Sequence, residues 1–130
     1  MTEVSNRTKS VLPAIQFGNI KKDALGNNYA LSVAFIQADE SRRINREYRK
    51  KDSPTNILSF PYSHESGEIL FCPDVIENEM KSNGLPYDQY LIYLYIHGLV
   101  HLAGFDHSIE MEKREVEMRH KFLLPSFERP

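Results

Sequence analysis

Hydrophobic and polar positions along the chain divide it into alternating strand-length and helix-length segments. Residues 1–28 are mostly polar and weakly periodic, with a turn-like Gly-Asn-Asn at 26–28 and room for only a short strand near 11–17. Residues 30–37, ALSVAFIQ, form a continuous apolar run of strand length rich in branched and aromatic side chains, the pattern of a buried strand. Asp39 is positioned as the N-cap of a helix through ESRRINREYRKK, with Ile44 and Tyr48 four apart on one face. Ser53-Pro54 ends that helix, because proline disfavours the helical region for the residue before it. Two apolar runs follow, NILSFPY and EILFC, joined by the polar HESG, which reads as a hairpin; Pro61 confines its strand to an edge or an end. Asp74 is placed to cap a helix through VIENEMKSN, with Gly84 closing it. Residues 87–103 form the main apolar helix, and residues 108–123 a last amphipathic one with Met111, Met118 and Phe122 on one side.

This order predicts an α+β fold: a small mixed sheet of about four strands with helices packed on it, and a central buried helix. At 130 residues the chain is the length of one core, so residues 1–130 are expected to form a single domain. The start has no apolar segment followed by small cleavage residues, and residues 90–104 are too short for a membrane span. The single cysteine, Cys72, cannot form an internal disulfide, which fits a reducing compartment and a cytoplasmic location.

A formal charge of −2 excludes an overall electrostatic attraction to nucleic acid, so any such affinity must be local. Six of the ten residues 42–51 are basic: Arg42, Arg43, Arg46, Arg49, Lys50 and Lys51. Most charge runs are solvated helix faces, and Arg42 and Arg43 are read that way.

The chemistry concentrates in HGLVHLAGFDH, residues 97–107, which holds three of the five histidines. On a helix, residues four apart differ by about 40° and about 6 Å of rise, so His97 and His101 stand side by side. On the same helix His107 would lie about 15 Å further along and on the opposite side, so the helix must end between them. Gly104 is where it can end, since glycine enters the left-handed conformation without a Cβ penalty. A returning chain would bring His107 over the pair and leave one coordination position open, the arrangement of a catalytic metal. His64, in a polar loop, and His120, on a charged helix, are read as solvated. Asp106 either orients a ligand or caps the last helix.

The spacing matches the protease motif H-E-x-x-H-x-x-G-x-x-H at every position but one. Gly98 stands where the protease carries its general-base glutamate, so peptide hydrolysis lacks its base.

The same residues resemble the H-G-x-L-H-L-x-G-Y-D-H signature of the YbeY family of metal-dependent single-strand endoribonucleases. INREYRKKDSPTNILSFP at 44–61 is similar to that family's L-N-x-x-Y-R-x-K-D-x-P-T-D-V-L-S-F-P, and GEILFCPDVI at 67–76 to its G-D-I-x-I-C segment. The resemblance spans residues 30–110. It implies that His97, His101 and His107 bind one Zn²⁺ per chain, that Arg49 acts on the phosphate, and that Lys51 is the basic residue beside it on RNA; Arg46, from the same basic run and near the solvated-face reading, is a further candidate RNA contact. It also implies single-stranded rRNA as substrate rather than DNA, a role in small-subunit rRNA 3′-end maturation and ribosome quality control, the ribosome as partner, and no membrane. Asn56 and Glu68 stand where the family has aspartates, and residues 18–29 are too short and glycine-rich for the family's full first helix. The attacking group is either metal-activated water or the 2′-hydroxyl it deprotonates. A metalloprotease-like hydrolase, or a non-catalytic assembly factor with a structural zinc, are the alternatives.

Overall fold

The computed structural model describes residues 1–104 and 109–123. Within them the chain runs β1 (Thr2–Asn6), α1 (Phe17–Leu25), β2 (Ala30–Phe35), α2 (Ala38–Arg49), β3 (Ile57–Ser63), β4 (Ser66–Phe71), α3 (Pro73–Asn83), α4 (Tyr87–Leu102) and α5 (Ile109–Phe122). The sheet order is β1-β2-β4-β3, with β1 and β4 parallel to β2 and β3 antiparallel to β4. This is the mixed α+β sheet of four strands that the hydrophobic pattern anticipates.

β2 is apolar on both faces because both faces are covered. Leu31, Val33 and Phe35 point into the larger core with α1, α3, α4 and α5, whereas Ala34 and the following Ile36 join Ile44 of α2 on the other side. Its register sets Val33 opposite Ile69 and Phe35 opposite Phe71, whose rings stack at 5.2 Å. Side chains buried this fully contribute roughly 1.5–3 kcal/mol each. The hairpin forms as expected. β3 lies at the sheet edge, where Pro61 costs no ladder hydrogen bond, and the register shifts between Pro61 and Ser63.

α4 is the central helix. Leu91, Tyr95, Ile96, Leu99 and Val100 are completely buried, and the Tyr95 hydroxyl donates to the Phe17 carbonyl at 2.9 Å. Gly98 lies where α4 meets the sheet: a Cβ there would come within 2.9 Å of Ser59 Oγ, 3.0 Å of Ile57 Cδ1 and 3.2 Å of Ile69 Cδ1. With 16 residues, α4 is too short to span a bilayer, and no helix among the described residues is long and apolar enough to do so.

The N-terminal third differs from expectation. Residues 11–16 form no strand; the first strand is Thr2–Asn6, which pairs with β2 yet is largely exposed and so carries no apolar run. Residues 18–29 contribute to a helix after all. α1 forms because Phe17 and Ile20 dock on the core, with Phe17 edge-on to Tyr95 at 5.2 Å; Gly18 faces open space, and Gly26 at φ 84° closes the helix.

Two expected caps shift by two residues. Gln37 and Cys72 are the N-caps of α2 and α3, so Asp39 and Asp74 fall in the first turns, where a carboxylate favours the helix dipole instead. Pro73 takes the first position of α3, where its missing N–H is not needed. α2 ends at Lys50, in the left-handed conformation at φ 60°, before Ser53-Pro54 is reached. Ile44 is buried but Tyr48 is 65% exposed, meeting Phe60 edge-on with ring centres 5.4 Å apart.

Candidate active site

One stripe of α4 faces a cleft. Tyr90, Tyr93, His97 and His101 are spaced three, four and four, which keeps them on one helical side. The opposite wall comes from β3 and the residue before it, through Asn56, Ile57, Ser59 and Pro61, and Arg49 reaches in from the end of α2; the cleft encloses about 570 Å³. The rings of His97 and His101 lie 4.8 Å apart at 82°, side by side as their spacing requires. α4 ends at Leu102, one residue after His101. Gly104 adopts φ 94°, and its N–H closes on the His101 carbonyl at 3.0 Å, so the helix breaks at the glycine marked for it. His107 and Asp106 lie outside the described residues.

The turn that delivers Arg49 is built by the second sequence block. Ser41 Oγ donates to the Thr55 carbonyl and accepts from the Thr55 N–H, both at 3.0 Å, while Asn45 Nδ2 donates to the Ser53 carbonyl at 2.9 Å. These bonds tie the end of α2 to the start of β3. The left-handed Lys50 then reverses the chain directly after Arg49, a backbone state that a lysine adopts only where its surroundings enforce it.

Three other arginines of the basic run are engaged elsewhere. Asp52 accepts from Arg42 at 2.8 and 3.0 Å and lies 3.5 Å from Arg46, and Arg43 pairs with Glu47 at 3.6 Å. The hydrogen bonds from Arg42 hold the Asp52 carboxyl below its ordinary range and raise the Arg42 guanidinium in turn. Neither Arg46 nor Lys51 is among the residues that line the cleft.

One residue of the site has no counterpart in the sequence reading. Glu115 of α5 accepts a 2.7 Å hydrogen bond from His97 Nδ1–H. Its side chain is 11% exposed. The bond selects the tautomer whose lone pair is on Nε2, and a carboxylate in this position is the partner that orients a metal-ligating histidine. α5 is held in place by Asp23 of α1, whose carbonyl and carboxylate accept from Arg114 and Lys121, each at 2.6 Å. A signal for Glu115 exists in the sequence: it lies four residues after Met111 and three before Met118, on the apolar face of its helix, and a charge there needs a partner. Glu115→Ala is expected to weaken metal binding by about 10- to 100-fold, with Glu115→Gln intermediate because it keeps a hydrogen-bonding oxygen. Isothermal titration of metal into the two variants checks this; unchanged affinity in both would remove Glu115 from the site.

A second cleft of about 630 Å³ opens on the other side of His101, with Tyr29, Tyr62, His64 and Gly104 among its lining residues. His64, expected to be merely solvated, is exposed but faces this cleft. The Tyr29 hydroxyl is buried with no hydrogen-bond partner among the described residues, and a Cβ on Gly67 would collide with it, which explains the glycine in that sequence block.

A mixed sheet carrying a helix-borne histidine pair, with one imidazole oriented by a buried carboxylate and an arginine across the cleft, defines a histidine-centred hydrolase-like α+β domain. The family model described as Endoribonuclease YbeY matches residues 2–128, and the chain belongs to that family. A curated relative named Endoribonuclease YbeY from Paraburkholderia phytofirmans is 37% identical over 114 residues, covering 84% of this chain and 74% of its own length. Another of the same name from Aliarcobacter butzleri is 33% identical over 135 residues, covering 97% of this chain and 95% of its own. The solution structure of a Thermotoga maritima protein superposes with a TM-score of 0.66 at 25% identity, covering 94% of this chain and 89% of that one.

Proposed function

We propose that the chain is a zinc-dependent endoribonuclease that cleaves single-stranded RNA, acting in rRNA maturation at the 3′ end of the small-subunit RNA and in ribosome quality control in the cytoplasm. The observation that carries this reading is the cleft itself: His97, oriented by Glu115, stands beside His101 and opens onto the space that Arg49 enters. Family membership and the relatives' names support RNA as the substrate.

His97 and His101 would hold the metal with His107 as third ligand. The donor set fits, because neutral imidazoles with a carboxylate behind one of them suit zinc and leave its positive charge undiminished. A zinc ion there would supply Lewis acidity toward a phosphoryl oxygen and lower the pKa of a coordinated water toward neutrality. Arg49 presents a planar fork of donors to the nonbridging oxygens, whose charge grows as the phosphodiester bond breaks. Glu115, hydrogen-bonded to His97 Nδ1, would hold the proton on that nitrogen and leave Nε2 for the metal. Whether water or the 2′-hydroxyl attacks is decided by the product, since only the second route yields a 2′,3′-cyclic phosphate.

Peptide hydrolysis has no support from the fold. Position 98, where a protease carries its base, is packed against Ser59, Ile57 and Ile69 at the helix–sheet contact, which leaves no room there for a glutamate side chain.

Arg49→Ala is expected to keep its metal and its melting temperature while cleaving RNA about 100- to 1,000-fold more slowly, the scale of losing one donor to a developing negative charge. Elemental analysis beside a single-stranded RNA cleavage assay checks it. Metal loss in this variant would overturn the assignment of Arg49 to the phosphate.

A further inference from the structure

Tyr90 and Tyr93 line the same cleft as Arg49 and the histidines, yet neither holds a metal or a phosphate. They lie on the stripe of α4 that carries His97, displaced from it along the axis by about 10 Å and about 6 Å. Their rings are nearly parallel, 16° apart with centroids 6.3 Å from each other, and the Arg119 guanidinium sits 5.3 Å from the Tyr93 ring centre. The cleft therefore carries two nearly parallel aromatic rings on the side that runs away from the histidine pair.

Tyr90 is held in place. Its hydroxyl donates to Glu79 Oε1 of α3 at 2.7 Å, and the same oxygen accepts from Asn56 Nδ2 at 2.9 Å. One carboxylate oxygen thus joins the start of β3 to the helix that carries the two rings. Asn56 is the position where this chain departs from the aspartate of the motif it resembles. An aspartate there would set a second carboxylate against Glu79, whereas asparagine supplies the donor that Glu79 needs.

We propose that the Tyr90–Tyr93 wall is a nucleobase-stacking subsite for single-stranded RNA, taking the base of a nucleotide adjacent to the one whose phosphate lies between Arg49 and the histidine pair, with Asn56 and Glu79 as the brace that fixes it. The inference rests on the endoribonuclease reading and adds to it how the substrate's bases are met. A ring fixed before binding loses little conformational freedom when a base stacks on it. Stacking of this kind accepts any base, because each has a π face, but it requires that face to be free. A base inside a duplex has both faces covered by its neighbours, so the wall favours single strands without reading sequence.

The test compares two competitors of cleavage by the metal-loaded chain: a single-stranded RNA oligomer, and an abasic ribose-phosphate oligomer of the same length and charge. The wild-type chain is expected to bind the RNA oligomer about 10-fold more tightly than the abasic one. Tyr90→Leu/Tyr93→Leu loses this preference while keeping its metal content, and Asn56→Asp reduces it. Because the chain has no tryptophan, quenching of tyrosine fluorescence by the RNA oligomer gives a second readout, smaller with the abasic one. Equal binding of the two oligomers by a wild-type chain that cleaves RNA overturns the stacking subsite and leaves the nuclease reading standing; this comparison needs no variant to fold. A preference that survives in the double leucine variant overturns the subsite too, and an undiminished preference in Asn56→Asp removes the brace. A wild-type chain that cleaves no RNA at all overturns the reading beneath, and the subsite with it.

Discussion

His101→Ala is expected to lose its metal and its RNA cleavage together while remaining folded. His101 is half-buried at the junction of two clefts and sits just past Leu99 and Val100, which are completely buried. Its side chain belongs to the cleft rather than to the core, and alanine is the better helix former. The melting temperature of the metal-free protein should therefore change by no more than a few degrees, about the effect of 1 kcal/mol in a chain of this size. Removing a carboxylate behind a ligand costs roughly 10- to 100-fold, and removing the ligand itself must cost more. Elemental analysis, circular dichroism and a cleavage assay on one preparation separate the possibilities. Full activity in a metal-depleted His101→Ala protein would dissolve the proposed site.

Gly98→Glu, which completes the protease motif on paper, is expected to unfold much of the protein at 37 °C and to create no peptidase. The first added carbon already meets Ser59 Oγ, Ile57 Cδ1 and Ile69 Cδ1 at 2.9–3.2 Å. Overpacking of that kind costs about 1–3 kcal/mol, and a carboxylate pressed between two isoleucine side chains adds several more. A domain holds only about 5–15 kcal/mol in total. Gly98→Ala is the control: the helix gains about 1 kcal/mol from losing a glycine, which offsets most of a mild overpacking penalty. Thermal unfolding followed by circular dichroism should place alanine near wild type and glutamate far below it. A stable Gly98→Glu protein would mean that α4 does not rest on the sheet through this glycine.

His101 shows why this part of the fold can be read from sequence. The spacing of His97 and His101, and Gly104 after them, are local constraints on one helix, and local constraints survive in a linear pattern. β2 and the β3–β4 hairpin are legible for the same reason, since burial on both faces leaves a continuous apolar run and a proline marks the edge. β1 and α1 are not. β1 draws its order from backbone pairing with β2 while its side chains stay largely in solvent, and α1 forms because Phe17 and Ile20 find a partner in a helix some 75 residues away.

The site divides along the same line. Arg49 is recognisable from its sequence block, but what brings it to the cleft is the left-handed Lys50 and the bonds of Ser41 and Asn45 across to Thr55 and Ser53. Glu115 is one of several acids on α5, beside Glu110, Glu112 and Glu117, and only burial on the methionine face sets it apart. Asn56 reads as a mild departure from a motif until Glu79 and Tyr90 are seen to share it. Gly98 changes meaning most: a missing base in the sequence becomes a packing contact in the fold.

The most direct test of the account is to incubate the purified 130-residue chain with one RNA sequence in single-stranded and in duplex form, untreated, with chelator, and with chelator followed by excess Zn²⁺. Cleavage of the single strand alone, stopped by the chelator and restored by zinc, is the predicted result. Cleavage that persists in chelator, or that proceeds equally on the duplex, would contradict it.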